Sequence, residues 1–236
     1  MIFDQAEWSV RFDWGPVGVA QLAPISDVVI IVDVLSFSTS VDIVLANGAV
    51  VLPYGSRDAS LLTYARIKAA AAAEAVRTQS GGFSLSPTSL RNITSGYRIV
   101  LPSPNGAALS LSTGAAKTLT GCLRNCSAVA QAANRMGKSI AVIAAGERWA
   151  DGSFRPCVED LLGAGAIIRE LSESRSPEAS AAAAAFEGFG PHIGQCSSAK
   201  ELINRGFEND VVLAAQFGVS STVPILHESA FVCAND

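Results

Sequence analysis

The sequence predicts an α/β fold in three layers, a parallel or mixed sheet with helices on both faces. Two observations carry that expectation. Segments of strand character alternate with segments of helical character along the chain, the order that builds a sheet covered on both sides. The clearest strand, Val28 to Val32, is β-branched with no polar alternation, the pattern of a strand buried on both faces.

In chain order, Val28 to Val32 ends at Asp33 and a helix follows, with Ser38 or Thr39 as its expected cap, Val41 to Ala46 as its body and Asn47-Gly48 as its stop. A second strand is expected at Ala49 to Pro53, then a long Ala-rich helix from about Ser56 to Arg77. Tyr97 to Leu101 reads as strand, Gly106 to Leu111 as a short helix with Gly114 behind it, and Ala116 to Thr120 as strand. Asn125 to Met136 reads as helix, Ser139 to Ala144 as strand and Val158 to Leu171 as helix. Ser172 to Ala181 is polar and contains proline; it reads as a surface loop within one domain spanning residues 1–236, with a hinge between subdomains as the alternative. The remainder is mostly helical, with a late strand near Val223 to Leu226.

Composition narrows the function. Hydrophobic residues make up 49% of the 236 residues and charged residues 16%, against roughly 25% charged in an average globular chain. The net charge is −4 and no run of Lys or Arg is long enough to neutralise a phosphate backbone, which argues against nucleic acid as a partner. A membrane span needs about 20 consecutive apolar residues, and the strongest run here is broken at Asp33. Met1 to Val10 lacks the basic end and apolar stretch of a signal peptide, so a cytoplasmic location is expected. The five cysteines are odd in number and spread over the second half of the chain. They are expected as free thiols, and Cys122 with Cys126 alone makes no zinc site.

In open α/β sheets ligands bind beyond the carboxyl ends of the strands, and the unusual polar residues collect at such ends. Asp33 closes the buried strand, with Ser36, Ser38 and Thr39 behind it at the start of a helix, where free N–H groups favour anions. A carboxylate after five apolar residues is costly to bury unless it is paired or holds a metal. Ser103-Pro104-Asn105-Gly106 and Gly121-Cys122-Leu123-Arg124-Asn125 each join a strand to a helix; the first could be a turn for backbone reasons alone. Arg124 would bring a bidentate phosphate donor to the sheet edge, or a surface salt bridge. The stretch from Ala145 to Asp160 holds Glu147, Arg148, Asp151, Arg155, Glu159 and Asp160 in a chain otherwise poor in charge. Oxygen ligands from Asp33, Glu147, Glu159 and Asp160 would suit Mg2+.

With these segments the sequence resembles the 2-phosphosulfolactate phosphatase family, named for a step of coenzyme M biosynthesis. The likeness runs from Asp13-Trp14-Gly15 through Val32-Asp33-Val34-Leu35, Ser103-Pro104-Asn105-Gly106 and Gly121-Cys122-Leu123-Arg124-Asn125 to the specific stretch Glu147 to Gly165, and on to Gly206-Phe207, Asp210 and Val223-Pro224. The resemblance implies an α/β phosphatase that needs magnesium and hydrolyses 2-phosphosulfolactate to 3-sulfolactate and phosphate. It differs where family members commonly carry an Arg after Asp-Val-Leu: here Ser36 follows, and Ala107 and Cys126 also depart from the usual residues. The alternative is a degenerate member that binds an anionic metabolite without turning it over.

The expected catalytic residues are Asp33, Glu147, Arg124 and Arg148, with Ser36, Ser38, Thr39, Asn105, Gly106, Asn125 and Arg155 binding substrate and Asp33, Glu147, Glu159 and Asp160 holding the metal. Asp33 could instead be the nucleophile, as in haloacid-dehalogenase phosphatases, although Leu35 stands where those enzymes carry a second Asp. The expected partners are a small anionic phosphorylated substrate and at most a second copy of the chain in a homodimer, with neither nucleic acid nor membrane.

Overall fold

A computed structural model describes residues 2–78 and 81–234. Its strands are β1 (Val10–Trp14), β2 (Val28–Val32), β3 (Val50–Tyr54), β4 (Ala71–Ala72), β5 (Arg98–Pro102), β6 (Lys117–Gly121), β7 (Ile140–Ala144), β8 (Glu147–Arg148), β9 (Phe154–Arg155), β10 (Pro224–His227) and β11 (Ala230–Cys233). Nine of them form one mixed sheet in the order β1-β7-β2-β6-β10-β11-β3-β5-β4, and β8 pairs with β9 in a separate hairpin. The helices are α1 (Gly15–Leu22), α2 (Phe37–Ala46), α3 (Ser60–Ile67), α4 (Pro87–Leu90), α5 (Gly106–Ser110), α6 (Cys126–Met136), α7 (Val158–Ile168), α8 (Pro177–Phe189), α9 (Ser197–Asn204) and α10 (Glu208–Ala214).

The fold is three-layered α/β, and β2 shows why its sequence carries no polar alternation. Val28, Ile30 and Val32 pack into one core with α6 and α7, while Val29 and Ile31 pack into another with Val19 and Leu22 of α1 and Leu109 of α5. Successive side chains of a strand point to opposite faces, so a strand covered twice must be apolar throughout. The sheet has two parallel blocks, β1-β7-β2-β6 and β3-β5-β4. The β10–β11 hairpin lies between them and is antiparallel to each neighbour, through the pairs Ile225↔Leu119 and Phe231↔Val51. Three antiparallel steps make the second block run counter to the first.

Several elements differ from expectation. The Ala-rich helix stops at Ile67: Ala69 turns with φ of 48°, and Ala71 and Ala72 pair with Ile99 and Val100 as the edge strand β4. Alanine's helix preference is worth less than about 1 kcal/mol per residue, and here it yields to packing of Ala70, Ala72 and Ala75 against Leu52, Leu61 and Val100. Ser38 and Thr39 lie inside α2 and cap nothing. The residue at the cap position is Ser36, whose side chain makes no capping bond. The polar segment after α7 is tied to the sheet edge, with Val10 N–H donating to Ser174 O at 2.8 Å and Ser176 N–H to Val10 O at 2.9 Å. Ser176 then caps α8 by accepting from the Ala179 N–H. All five cysteines are free, and among the described residues no helix is long and apolar enough to cross a membrane.

Candidate active site

Asp33 sits where β2 ends and is held in one orientation by three donors. Its Oδ2 accepts the Gly106 N–H at 2.9 Å and the Ser103 hydroxyl at 3.4 Å, and its Oδ1 accepts the Phe37 N–H at 3.3 Å. The loop after β5 is thereby fastened to the loop after β2. Only glycine suits position 106, because a Cβ there would meet Phe37 at 2.5 Å and Asp33 Oδ2 at 2.7 Å. Burial pushes the Asp33 carboxyl up to about 6; the neighbouring Glu147 carboxylate adds to this, while the N–H bonds and the Arg77 charge oppose it.

Asp33 and Glu147 face a cleft lined also by Ser36, Ser103, Asn105, Arg57, Arg77 and Arg205. Arg77 is the most confined of these arginines. It pairs with the buried Asp210 through Nη1 at 2.7 Å, and its Nη2 donates to Ser36 Oγ at 2.7 Å. A roomier hollow of about 610 Å³ is lined by Phe12, Trp14 and Leu161 with the carboxylates Asp13 and Glu178. That lining suits an apolar ligand, whereas arginines set around a buried carboxylate suit an anion.

The structure gathers some of the sequence-predicted residues at this cleft and sets others elsewhere. Ser36, Asn105, Gly106 and Glu147 join Asp33 there. Arg155 stands at its edge, donating to Glu147 Oε2 at 2.9 Å and to Ser198 Oγ at 3.3 Å. Ser38 and Thr39 turn inward: Ser38 bonds Thr120 Oγ1 at 2.7 Å, and Thr39 donates to Val34 O at 2.8 Å. Arg124 is committed to the buried Asp42 at 2.7 Å and to Gln216, so it braces the fold instead of lining the cleft. Asn125 bridges the Cys122 N–H and the Thr222 carbonyl. Arg148 lies in the β8–β9 hairpin, donating to Gly152 O at 2.9 Å, beside Pro104 and Phe154.

The four expected metal ligands do not all meet at the cleft. Asp160 is buried with both oxygens occupied, by the Val34 N–H and the Gly146 N–H, each at 2.8 Å. It staples the loop after β2 to the loop after β7, and burial together with the nearby Asp33 charge pushes its carboxyl well above the usual range. Glu159 is also buried and accepts from Cys196 Sγ. Among the described residues no three His, Cys, Asp or Glu side chains converge as a ready-made metal cage. Asp33, although its oxygens also accept hydrogen bonds, lines the arginine-bearing cleft with Glu147, as Asp160 does not, and two carboxylates there fit magnesium held by one or two carboxylates and completed by water and a substrate phosphate.

Comparison with known proteins bears on the same geometry. The profile of the 2-phosphosulpholactate phosphatase family matches residues 18–229. The chain belongs to that family. It is therefore a phosphoric monoester hydrolase by descent. A curated 2-phosphosulfolactate phosphatase from Methanothermobacter thermautotrophicus is 27% identical over 206 residues, covering 86% of this chain and 88% of the archaeal protein. The family match spans Asp33, Ser103, Glu147 and Asp210 together. Sequence reasoning missed Arg57, Arg77 and Arg205 in the cleft of this member of the 2-phosphosulpholactate phosphatase family. Each sits in a loop or at a helix end with no flanking pattern to mark it; the nearest signal was Asp210, which proves to hold Arg77.

Proposed function

We propose that the protein hydrolyses 2-phospho-3-sulfolactate, or a closely related phosphorylated acid, to the free hydroxy acid and inorganic phosphate, with Mg2+ as cofactor. The observation that carries this reading is a buried carboxylate, Asp33, at a cleft shared with Glu147 and three arginines. The family match and the archaeal relative's name support the substrate class. In the reaction the bond from phosphorus to the ester oxygen breaks, a water oxygen bonds to phosphorus, and one water proton ends on the departing alkoxide.

Each residue's task follows from its environment. Asp33 and Glu147 would hold magnesium, which when bound offsets the charge on the phosphoryl oxygens. The Gly106 and Phe37 N–H groups keep the Asp33 carboxylate aimed into the cleft, so little reorganisation remains when substrate arrives. Arg77, Arg57 and Arg205 would take the anionic oxygens of the substrate, each guanidinium matching a phosphate, sulfonate or carboxylate with parallel N–H donors. Arg155 bonded to Glu147 limits where that carboxylate can point.

The test is phosphate release from a panel of small phosphorylated acids, with magnesium and with excess chelator, for wild type and Asp33→Asn. Release should require magnesium and vanish in the mutant while its circular dichroism is unchanged. Full release in excess chelator overturns the magnesium requirement, and wild-type rates in Asp33→Asn remove Asp33 from the site. Phosphate binding by the wild type without turnover of any ester would favour the non-hydrolysing alternative.

A further inference from the structure

The structure assigns Arg77 as the cation that recognises an anionic group of the substrate, presented by a buried post, Asp210, on one side and by Ser36 on the other. The assignment deepens the phosphatase reading and rests on it. Asp210 is almost fully buried and spoken for on both oxygens: Oδ1 accepts the Ser86 hydroxyl at 2.6 Å and the Thr88 N–H at 3.0 Å, and Oδ2 accepts Arg77 Nη1 at 2.7 Å. A carboxylate fixed from three directions holds its guanidinium in one orientation. Arg77 also lies against the Phe207 ring, 5.9 Å from the centroid, which limits tilting of the plane. The second bond, from Nη2 to Ser36 Oγ, ties the guanidinium to the strand-end loop that carries Asp33.

The two bonds use two of the five N–H donors of a guanidinium, and Arg77 lines the cleft that Asp33 and Glu147 face. The other two arginines of that cleft differ. Arg57 is exposed, and Arg205 is about half exposed and pairs with the exposed Glu201 one helical turn away. A buried ion pair is a weak device for stability, since its desolvation cost offsets much of the attraction. A well-oriented cation in the cleft that Asp33 and Glu147 line is what oxyanion recognition requires, and preorganisation reduces the ordering cost of binding. The anionic group is either the phosphoryl group or the acid tail; both offer the same oxyanion geometry.

The experiment measures kcat and KM for wild type, Arg77→Lys and the double variant Arg77→Gln/Asp210→Asn, using 2-phospho-3-sulfolactate and a phosphate monoester with an uncharged tail. The double variant removes the guanidinium without leaving Asp210 charged and unpaired in the interior, so the fold stays readable. A parallel arm titrates inorganic phosphate by calorimetry, and needs no turnover. We expect KM for the acid-tailed ester to rise at least tenfold in both variants while the melting temperature of Arg77→Lys changes little. A rise for both esters, with weaker phosphate binding, identifies the phosphoryl group as the partner; a rise for the acid-tailed ester alone identifies the tail. Unchanged KM for both esters in both variants, or, where wild type turns over no ester, unchanged phosphate binding, overturns the assignment. If wild type releases no phosphate but binds it and the double variant does not, the hydrolysis reading fails while the role of Arg77 stands.

Discussion

Asp33 carries opposing demands in one side chain. Its place at the carboxyl end of β2 exposes it to the cleft while burying most of its surface, and the burial raises its carboxyl from 3.8 to about 6. The sign of the consequence follows from linkage. The folded state holds the proton more tightly than the unfolded chain, so between about pH 4 and pH 6 rising pH favours unfolding, and above about 6 the cost is complete. A shift of about two units corresponds to roughly 3 kcal/mol, so Asp33 ionised at neutral pH is a destabilising group in the metal-free fold. Denaturant unfolding of the metal-free protein measured from pH 4 to pH 8 should lose part of its downward slope in Asp33→Asn. An unchanged slope in the mutant would mean that another group, Asp160 foremost, carries the titration.

The sequence made Asp33 legible because a charged residue directly behind five buried apolar ones violates a solvation rule that nothing local excuses. Gly106 and Asn105 were legible from their place after a strand. Arg77 was not, because an arginine at the end of an alanine run carries no local anomaly. Its role arises from a partner, Asp210, that lies far along the chain. Arg124 illustrates the converse. It stands after a strand, as a phosphate-binding arginine would, yet Asp42 in α2 claims it.

At the scale of elements, that claim makes Arg124 a brace between three segments. Asp42 is fully buried on α2, accepts Arg124 Nε at 2.7 Å from the loop after β6, and accepts the Ser220 hydroxyl from the segment leading into β10. Removing the arginine strands a carboxylate in the interior, and breaking one partner of such a pair costs about 3–5 kcal/mol. Arg124→Gln should therefore lower unfolding stability by roughly 3 kcal/mol with kcat/KM unchanged, and the double variant Arg124→Gln/Asp42→Asn should recover part of the loss. A mutant of wild-type stability with impaired kcat/KM would return Arg124 to the cleft. Strand identity at this scale followed the apolar pattern, so β2, β3, β5, β6 and β7 were readable to within about a residue or two. β1 and β4 were not. β1 alternates Val10, Arg11, Phe12 and Asp13, and buries the Arg11 guanidinium against the Trp8 and Ile25 carbonyls. β4 is alanine, whose intrinsic preference is helical.

The whole molecule depends on a seam that local pattern could not reveal. The hairpin of β10 and β11, the last strands in the chain, joins two parallel blocks, and a single residue pair links it to each neighbour. With so little ladder there, side-chain packing helps to hold the blocks together, and Phe231 is part of that packing together with α2. Phe231 is fully buried, pairs with Val51 of β3, and meets Phe37 edge to face with ring centroids 6.0 Å apart. Phe37 opens α2 and gives its N–H to Asp33, so the seam and the proposed active-site carboxylate share one residue. Truncation of a buried phenylalanine costs about 3–5 kcal/mol through lost transfer energy and the cavity left behind. Phe231→Ala should lose that much in equilibrium unfolding. It should also lower kcat more than KM, because Phe37 can then shift and relax the donor that orients Asp33. Phe231→Leu, which refills most of the cavity, should recover the greater part of both effects. If Phe231→Ala unfolds within about 1 kcal/mol of wild type, the seam is held elsewhere, by the ladder pairs or by α2 packing alone.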